Sequence, residues 1–275
     1  MQSVKGKLII AGAGPGDPGL ITVRAALALR EADVILTDRL VNAEIIRQFA
    51  GTDALVVEVG KQGGKLHSTP QETINSLIVQ YTTSHERVVR LKGGDVSVFA
   101  NVLDELETCH HHHIPFEIIP GITAASGASA FAGIPLTARG YANAVRYLTY
   151  YHSEAINTRQ WKQLAQTDDT LVFYMSTQSL HELATQLLQH GMDPSMPVAV
   201  IEQATTAAQQ VTVSALGHVK DIHIESLRTP SLLVIGKVAA LHRSFAWFDA
   251  SKAGQQAFRD LPVQTISSLI KIPVA

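Results

Sequence analysis

Two stretches of the chain carry residue types whose spacing invites chemistry. The first is the loop Gly12-Ala13-Gly14-Pro15-Gly16-Asp17-Pro18-Gly19, in which Gly14, Gly16 and Gly19 meet the G-x-G-x-x-G spacing. Asp38 follows 19 residues beyond Gly19, where a dinucleotide fold keeps its ribose-binding acid. Yet Pro15 and Pro18 have no N–H to offer a pyrophosphate. A stiff strand-to-helix turn, presenting carbonyls and one wall of a pocket, therefore stands beside the dinucleotide reading. The second stretch is Cys109 with the run His110–His113. Consecutive residues point in different directions around a helix and make poor joint ligands. The run reads as a polar helix end before Ile114-Pro115, and no metal is expected.

These residues are set among alternating strand-like and helix-like segments. Leu8–Ala11, Val34–Thr37, Leu55–Val59, Arg87–Leu91 and Phe116–Ile119 read as strands. Ile21–Glu31, Ala43–Phe49 and Pro70–Tyr81 read as the helices between them. Short, continuous β-branched runs suit buried parallel strands, and their alternation with helices predicts an open α/β sheet. A small-residue helix, Thr123–Phe131, follows Pro120-Gly121, and the expected domain boundary lies there. The second half offers strands at Val145–Thr149, Leu171–Tyr174, Val198–Glu202, Gln210–Ser214 and Ser231–Gly236, with an amphipathic helix over Ser179–His190 that ends at Gly191. The expected division is an N-terminal α/β domain over 1–119, a C-terminal α/β domain over 120–245 and a tail over 246–275.

Composition narrows the partners. At 46% hydrophobic and 17% charged, the 275 residues suit two buried cores. A net charge of −2 argues against a nucleic-acid protein with a broad basic surface, while leaving room for a local cluster of Lys and Arg that meets a small anion. No apolar run approaches the ~20 residues of a membrane span, and the N-terminus does not read as a secretory leader. A single cysteine excludes an internal disulfide framework and fits a reducing compartment, so the cytoplasm is the expected location.

Several separated segments, taken in order, are more specific than any one of them. They include Val34-Ile35-Leu36-Thr37-Asp38-Arg39-Leu40-Val41, Val59-Gly60-Lys61 and Arg90-Leu91-Lys92-Gly93-Gly94-Asp95. Then come Pro115-Phe116-Glu117-Ile118-Ile119-Pro120-Gly121-Ile122-Thr123-Ala124 and Ala132-Gly133-Ile134-Pro135-Leu136-Thr137. Leu171-Val172-Phe173-Tyr174-Met175, Val200-Ile201-Glu202-Gln203-Ala204-Thr205 and Pro230-Ser231-Leu232-Leu233-Val234-Ile235-Gly236 complete the set. From about Lys7 to Leu241 this order resembles the tetrapyrrole methylase family, and within it the uroporphyrinogen-III C-methyltransferases that form precorrin-2.

The resemblance implies two consecutive α/β domains with S-adenosyl-L-methionine held in the cleft between them, S-adenosyl-L-homocysteine as the spent cofactor, and a tetrapyrrole substrate. It implies that Pro15, Gly93, Gly94, Asp95, Val98, Thr123, Ala124, Met175 and Ala204 line the cofactor site, that Asp38 is the proton acceptor and that Lys61 is the proton donor. A Gly-Gly pair permits close backbone approach, and Asp95 could hold a ribose hydroxyl or an ammonium. The plainer readings are a turn at Gly93–Asp95, a helix cap at Asp38 and a solvated Lys61. The substrate's carboxylates call for cations; Arg39 and Arg139 are the chosen candidates among a wider group of Lys61, Lys65, Arg90, Lys92 and Arg146. A homodimer is expected from the resemblance alone.

The chain departs from the family pattern at three places. The run Val96–Val102 lacks the usual proline and Gly-Arg-Gly, Ala138 stands where a histidine is usual, and Tyr150-Tyr151 replaces Gly-His. These changes leave open a related methyltransferase acting on another acceptor and a homologue that binds without catalysing. The glycine loop with Asp38 leaves open a nicotinamide oxidoreductase.

Overall fold

The computed structural model describes residues 4–60, 69–150 and 156–249. The chain divides into two compact units, one ending at Thr123 and the other beginning at Ala124. Lys61, Lys65, Tyr151 and the expected tail beyond Asp249 lie outside the described residues.

In the first unit, strands β1 (Lys7–Gly12), β2 (Val34–Thr37), β3 (Leu55–Glu58), β4 (Arg87–Lys92) and β5 (Phe116–Ile119) alternate with helices α1 (Val23–Arg30), α2 (Ala43–Phe49), α3 (Gln71–Ser84) and α4 (Leu103–His111). The five strands form one sheet in the order β3-β2-β4-β1-β5, and every pairing is parallel. Parallel strands need helical crossovers, which cover both faces. Leu8, Ile10, Leu36 and Val88 accordingly pack on one side with Ile74, Leu77 and Ile78 of α3. Ile9, Ile35 and Val89 pack on the other with Ala25 and Leu29 of α1 and Ile45 of α2.

Local chemistry sets the helix starts. Thr22 accepts a hydrogen bond from Ala25 N–H at the head of α1, and Asn42 accepts one from Glu44 N–H at the head of α2. The expected helix from Ile21 thus begins two residues later because Thr22 caps it.

The second unit holds β6 (Val145–Thr149), β7 (Thr170–Tyr174), β8 (Pro197–Glu202), β9 (Gln210–Ala215) and β10 (Ser231–Ile235), with helices α5 (Ala124–Ala132), α6 (Thr158–Ala165) and α7 (Leu180–Gln189). Its sheet order is β6-β7-β10-β8-β9. Here β10 runs antiparallel to both β7 and β8, and β9 is antiparallel to β8. The sheet is mixed, so the α/β class holds while the all-parallel pattern stops at the first unit. Gly191, at φ 100°, takes the left-handed position after α7. Helix α6, opened by a reciprocal cap between Asn157 and Gln160, does not figure among the expected elements.

Glycine is required where the first unit's central strands end. A Cβ on Gly12 would lie 2.6 Å from Gly94 O and 2.7 Å from Gly121 Cα. Gly12→Ala must push these backbones apart at a cost of about 1–3 kcal/mol. The expected result is a lower thermal midpoint for the first unit's unfolding, read by near-ultraviolet circular dichroism. An unchanged midpoint would show that the loops yield without cost.

Candidate active site

All five strands of the first unit point the same way, so the loops after β1, β2, β3, β4 and β5 lie along one sheet edge. Open α/β sheets bind ligands there.

Three of these loops are stitched together by backbone. Gly14 N–H donates to Gly94 O at 3.1 Å and Gly94 N–H returns a bond to Gly14 O at 2.8 Å. The Asp95 carboxylate accepts from Ser97 N–H through Oδ1 and from Gly121 N–H through Oδ2, each at 2.8 Å. Asp95 therefore fixes the post-β4 loop against the post-β5 loop. This backbone task is additional to the ligand contact foreseen for it. Asn42, buried at the head of α2, donates to Gly16 O at 2.8 Å and holds the first loop from the other side. Pro15 is buried within that loop, Gly93 and Gly94 are half-buried, and Thr123 lies two residues beyond Gly121.

Several donors of the glycine loop are already spent. Ala13 N–H bonds Lys92 O at 2.8 Å, Gly19 N–H bonds Asp17 Oδ1 at 2.7 Å, and Leu20 N–H bonds Asp17 O at 3.0 Å. A carboxylate thus occupies the place of a phosphate, and α1 starts only at Val23. A pyrophosphate would meet carbonyls and an acid where it needs N–H groups. The dinucleotide reading fails on this chemistry.

The second pair of loops carries the titratable groups. Gly93 leaves no room beyond Leu40, whose Cβ would sit 3.0 Å from an added Cβ. Gly60 is tighter still against Arg39, with 2.6 Å from an added Cβ to Arg39 Cγ. The turn Asp38-Arg39-Leu40 is thus seated between the loops after β3 and β4. Arg39 Nε donates to Glu58 Oε1 at 2.6 Å, so part of its charge is matched within the unit. Val98 is half-buried in the post-β4 loop, where Phe99 and Asn101 hold φ near +50° (52° and 50°).

Asp38 stands over a buried ion cluster. Arg90 Nη2 donates to Asp38 Oδ1 at 2.5 Å and Arg90 Nε to Glu105 Oε1 at 2.9 Å. Arg90 Nη1 bonds the carbonyls of Leu36 and Leu91. Lys92 Nζ reaches the same Glu105 oxygen at 2.8 Å. Glu105 is fully buried (0% exposed) and Arg90 nearly so (2%), whereas the Asp38 side chain retains 23% exposure. Burial alone would depress the Arg90 guanidinium, but Asp38 and then Glu105 outweigh it and hold Arg90 charged. Burial, with the nearby Arg90 charge, lowers Lys92 against the pull of Glu105. Arg90 and Lys92 are therefore interior residues, and neither is on hand to meet a substrate carboxylate. Arg146, at the second unit's surface, pairs with Asp169 at 2.6 Å.

In the second unit the edge residues also gather locally. Ala125 N–H, in the first turn of α5, donates to the Tyr174 hydroxyl at 3.0 Å. This brings Ala124 near the end of β7, where Met175 is 49% exposed and holds φ 53°. Tyr174 pairs across β10 with Leu232, which pairs with Ile201 of β8, so Met175 and Ala204 follow the same sheet edge. Arg139 is exposed and makes no ion pair among the described residues. Tyr150, a departure from the family pattern, is a core residue: fully buried, 5.4 Å from the Trp161 ring, its N–H bonded to Ser176 Oγ.

Cys109 and the histidine run separate as expected, since Cys109 is buried and His110–His113 are exposed. Among the described residues no three His, Cys, Asp or Glu side chains gather to hold an ion.

The residues that the sequence reading missed are Glu105, Asn42 and Tyr174, together with the role of Arg90. One signal was available. Arg90 and Lys92 alternate in a buried strand and so share a face, which demands a buried counter-charge.

Comparison with known proteins agrees with this architecture. The model of the Tetrapyrrole (Corrin/Porphyrin) Methylases matches residues 7–220. The chain belongs to that family. It is 42% identical over 262 residues to Siroheme synthase 2 of Aeromonas hydrophila, in an alignment covering 95% of this chain and 55% of that one. The chain spans about half the length of the curated relatives it matches. Its fold is similar to the crystal structure of uroporphyrin III C-methyl transferase from Thermus thermophilus, with a TM-score of 0.72 and 32% identity over 86% of this chain and 100% of that one. A structure of the Thermus protein complexed with S-adenosylhomocysteine gives a TM-score of 0.70 at 31% identity, covering 86% and 100% of the two chains.

Burial, and the Glu105 charge beside it, push the Cys109 thiol up to about 11. Only about a thousandth of it is then thiolate at pH 8. Iodoacetamide at pH 8 is expected to leave the native protein unlabelled over hours and to label it promptly in denaturant, as read by mass. Rapid labelling of the native protein would mean that the core over α4 opens.

Proposed function

We propose that this tetrapyrrole methylase is an S-adenosylmethionine-dependent C-methyltransferase that converts uroporphyrinogen III to precorrin-2 by two methylations. The similarity to the Thermus thermophilus enzyme over its whole length supports the substrate, and that enzyme's S-adenosylhomocysteine complex supports the cofactor. The observation that carries the chemistry is Asp38, with one carboxylate oxygen held by a buried arginine on the same sheet edge as the stitched glycine loops.

The residues present fit a sulfonium cofactor. S-Adenosylmethionine carries no phosphate, and its amine, hydroxyls and cationic centre favour acceptors and apolar walls. Backbone carbonyls, Pro15, Gly93, Gly94 and the Asp95 carboxylate offer these in the first unit, and Ala124, Met175 and Ala204 offer backbone and apolar surface in the second. Val98 and Thr123 are assigned to the same task. When bound, the cofactor supplies an electrophilic methyl group.

The chain's own residues do the rest. Alignment of the two reactants provides much of the rate. Once a pyrrole carbon has gained its methyl group, the ring must shed a proton to regain its charge balance, and Asp38 accepts it. Lys61 is assigned as the proton donor. Arg139, exposed and without an ion-pair partner among the described residues, is assigned to the substrate's carboxylates; Arg39, already bonded to Glu58, contributes what charge that pair leaves. The chain is assigned to a homodimer in the cytoplasm; no described helix is long and apolar enough to cross a membrane.

Asp38→Ala tests the reading. Turnover measured by transfer of a labelled methyl group is expected to fall at least about a hundredfold. Calorimetric affinity for S-adenosylhomocysteine should stay within about twofold, because Asp38 acts on the proton and not on the cofactor. Full activity in the variant would remove Asp38 from the mechanism. A wild-type protein that binds no S-adenosylhomocysteine would remove the methyltransferase reading itself.

A further inference from the structure

The geometry points to Arg90 as a positioning residue that aims the Asp38 carboxylate at the reacting carbon, with Glu105 as the buried group that fixes Arg90. This rests on the reading of Asp38 as proton acceptor and adds to it the residues through which Asp38 is held.

Arg90 is clamped on every side. Its Nε donates to Glu105 Oε1 and its Nη1 to two strand carbonyls, so the plane of the guanidinium cannot turn. Only Nη2 remains to reach outward, and it takes Asp38 Oδ1. The Asp38 N–H is bonded to Leu91 O at 3.1 Å, so both backbone and side chain of Asp38 are referred to β4. Asp38 Oδ2 has no protein partner among the described residues, and this is the oxygen left for the proton.

Charge accounting supports the same role. Arg90 and Lys92 face Glu105 and Asp38, two cations against two anions. Glu105 Oε2 is buried without a hydrogen-bond partner among the described residues. Its charge is therefore committed to the two cations and to nothing else. A buried arginine with one carboxylate beneath it and another above is a rigid support, because a planar fork holds two acceptors in fixed directions.

The step this serves breaks one C–H bond of the methylated macrocycle. The electron pair returns to the ring and discharges the cation left by methyl transfer, and the proton goes to Asp38 Oδ2. Proton uptake leaves the buried set one positive charge in excess. That excess favours release of the proton to solvent through the partly exposed carboxylate.

Arg90→Lys is the decisive variant, since it keeps the charge and loses the fork. A lysine cannot span Glu105 and Asp38 together. The expected result is a kcat lowered about a hundredfold, the scale of a misplacement near 1 Å, with KM for S-adenosylmethionine and for uroporphyrinogen III within about twofold. Should Arg90→Lys fail to fold, the pair Arg90→Gln with Glu105→Gln removes one cation and one anion together and is held to the same measurement. A wild-type kcat in the folded variant overturns the proposal. So does a loss of kcat accompanied by an equal loss of cofactor and substrate binding, which would make Arg90 a structural residue only. Asp38→Ala, measured alongside, separates the two layers. If it is inactive while Arg90→Lys is fully active, only the positioning falls. If Asp38→Ala is fully active, the proton-acceptor reading falls and takes the positioning with it.

Discussion

The first unit depends on one buried ion cluster. Arg90 enters the interior on a parallel strand, where an uncompensated charge could not stay, and Glu105 on α4 meets it there without any exposure of its own. Removing one partner from such a pair costs about 3–5 kcal/mol, because the other is left buried and alone. The cluster is thus less a source of net stability than a demand on the fold. Helix α4 must pack where Glu105 reaches β4, and the turn after β2 must bring Asp38 to the far side of the guanidinium. Lys92 shares Glu105, so the residue immediately before Gly93-Gly94 is tied to the same point. What lies above the cluster inherits its rigidity.

The loops at the sheet edge solve a related problem in backbone. A ligand edge needs close approach, yet close approach spends hydrogen-bond donors on neighbouring loops. Gly12, Gly94 and Gly121 allow the contact, and the reciprocal Gly14–Gly94 bonds with the Asp95 carboxylate make it permanent. The consequence is selectivity by chemistry. With several of its N–H groups used internally and Asp17 on Gly19, the edge suits a ligand that donates better than a phosphate that must accept. The same exchange explains how a sequence that satisfies a dinucleotide spacing builds something else.

Much of this was legible in the residues. Val34–Thr37, Ala43–Phe49 and Phe116–Ile119 form elements with the predicted bounds, because β-branched runs and small-residue turns state their own limits. The antiparallel course of β10 was not legible, since a buried strand such as Ser231–Ile235 reads the same in either direction. The ordered segments named the residues along the edge but not their tasks. The resemblance names Asp95 as a ligand contact, while its further work as a staple between two loops depends on Gly121, distant in sequence. Tyr150 stands in the sequence only as a departure from the family pattern, and its place in the core becomes visible with Trp161 beside it. Arg90 and Lys92 read as candidate cations for the substrate's carboxylates, whereas in the fold both are buried on Glu105, which nothing local marks as interior.

The central claim is that this edge methylates a tetrapyrrole carbon, and product mass tests it most directly. Purified protein would be incubated anaerobically with S-adenosylmethionine and freshly generated uroporphyrinogen III, and the tetrapyrrole weighed by mass spectrometry. A product heavier by two methyl groups is predicted. An unchanged tetrapyrrole, from protein shown to bind S-adenosylhomocysteine, would contradict the account and assign the edge to another acceptor.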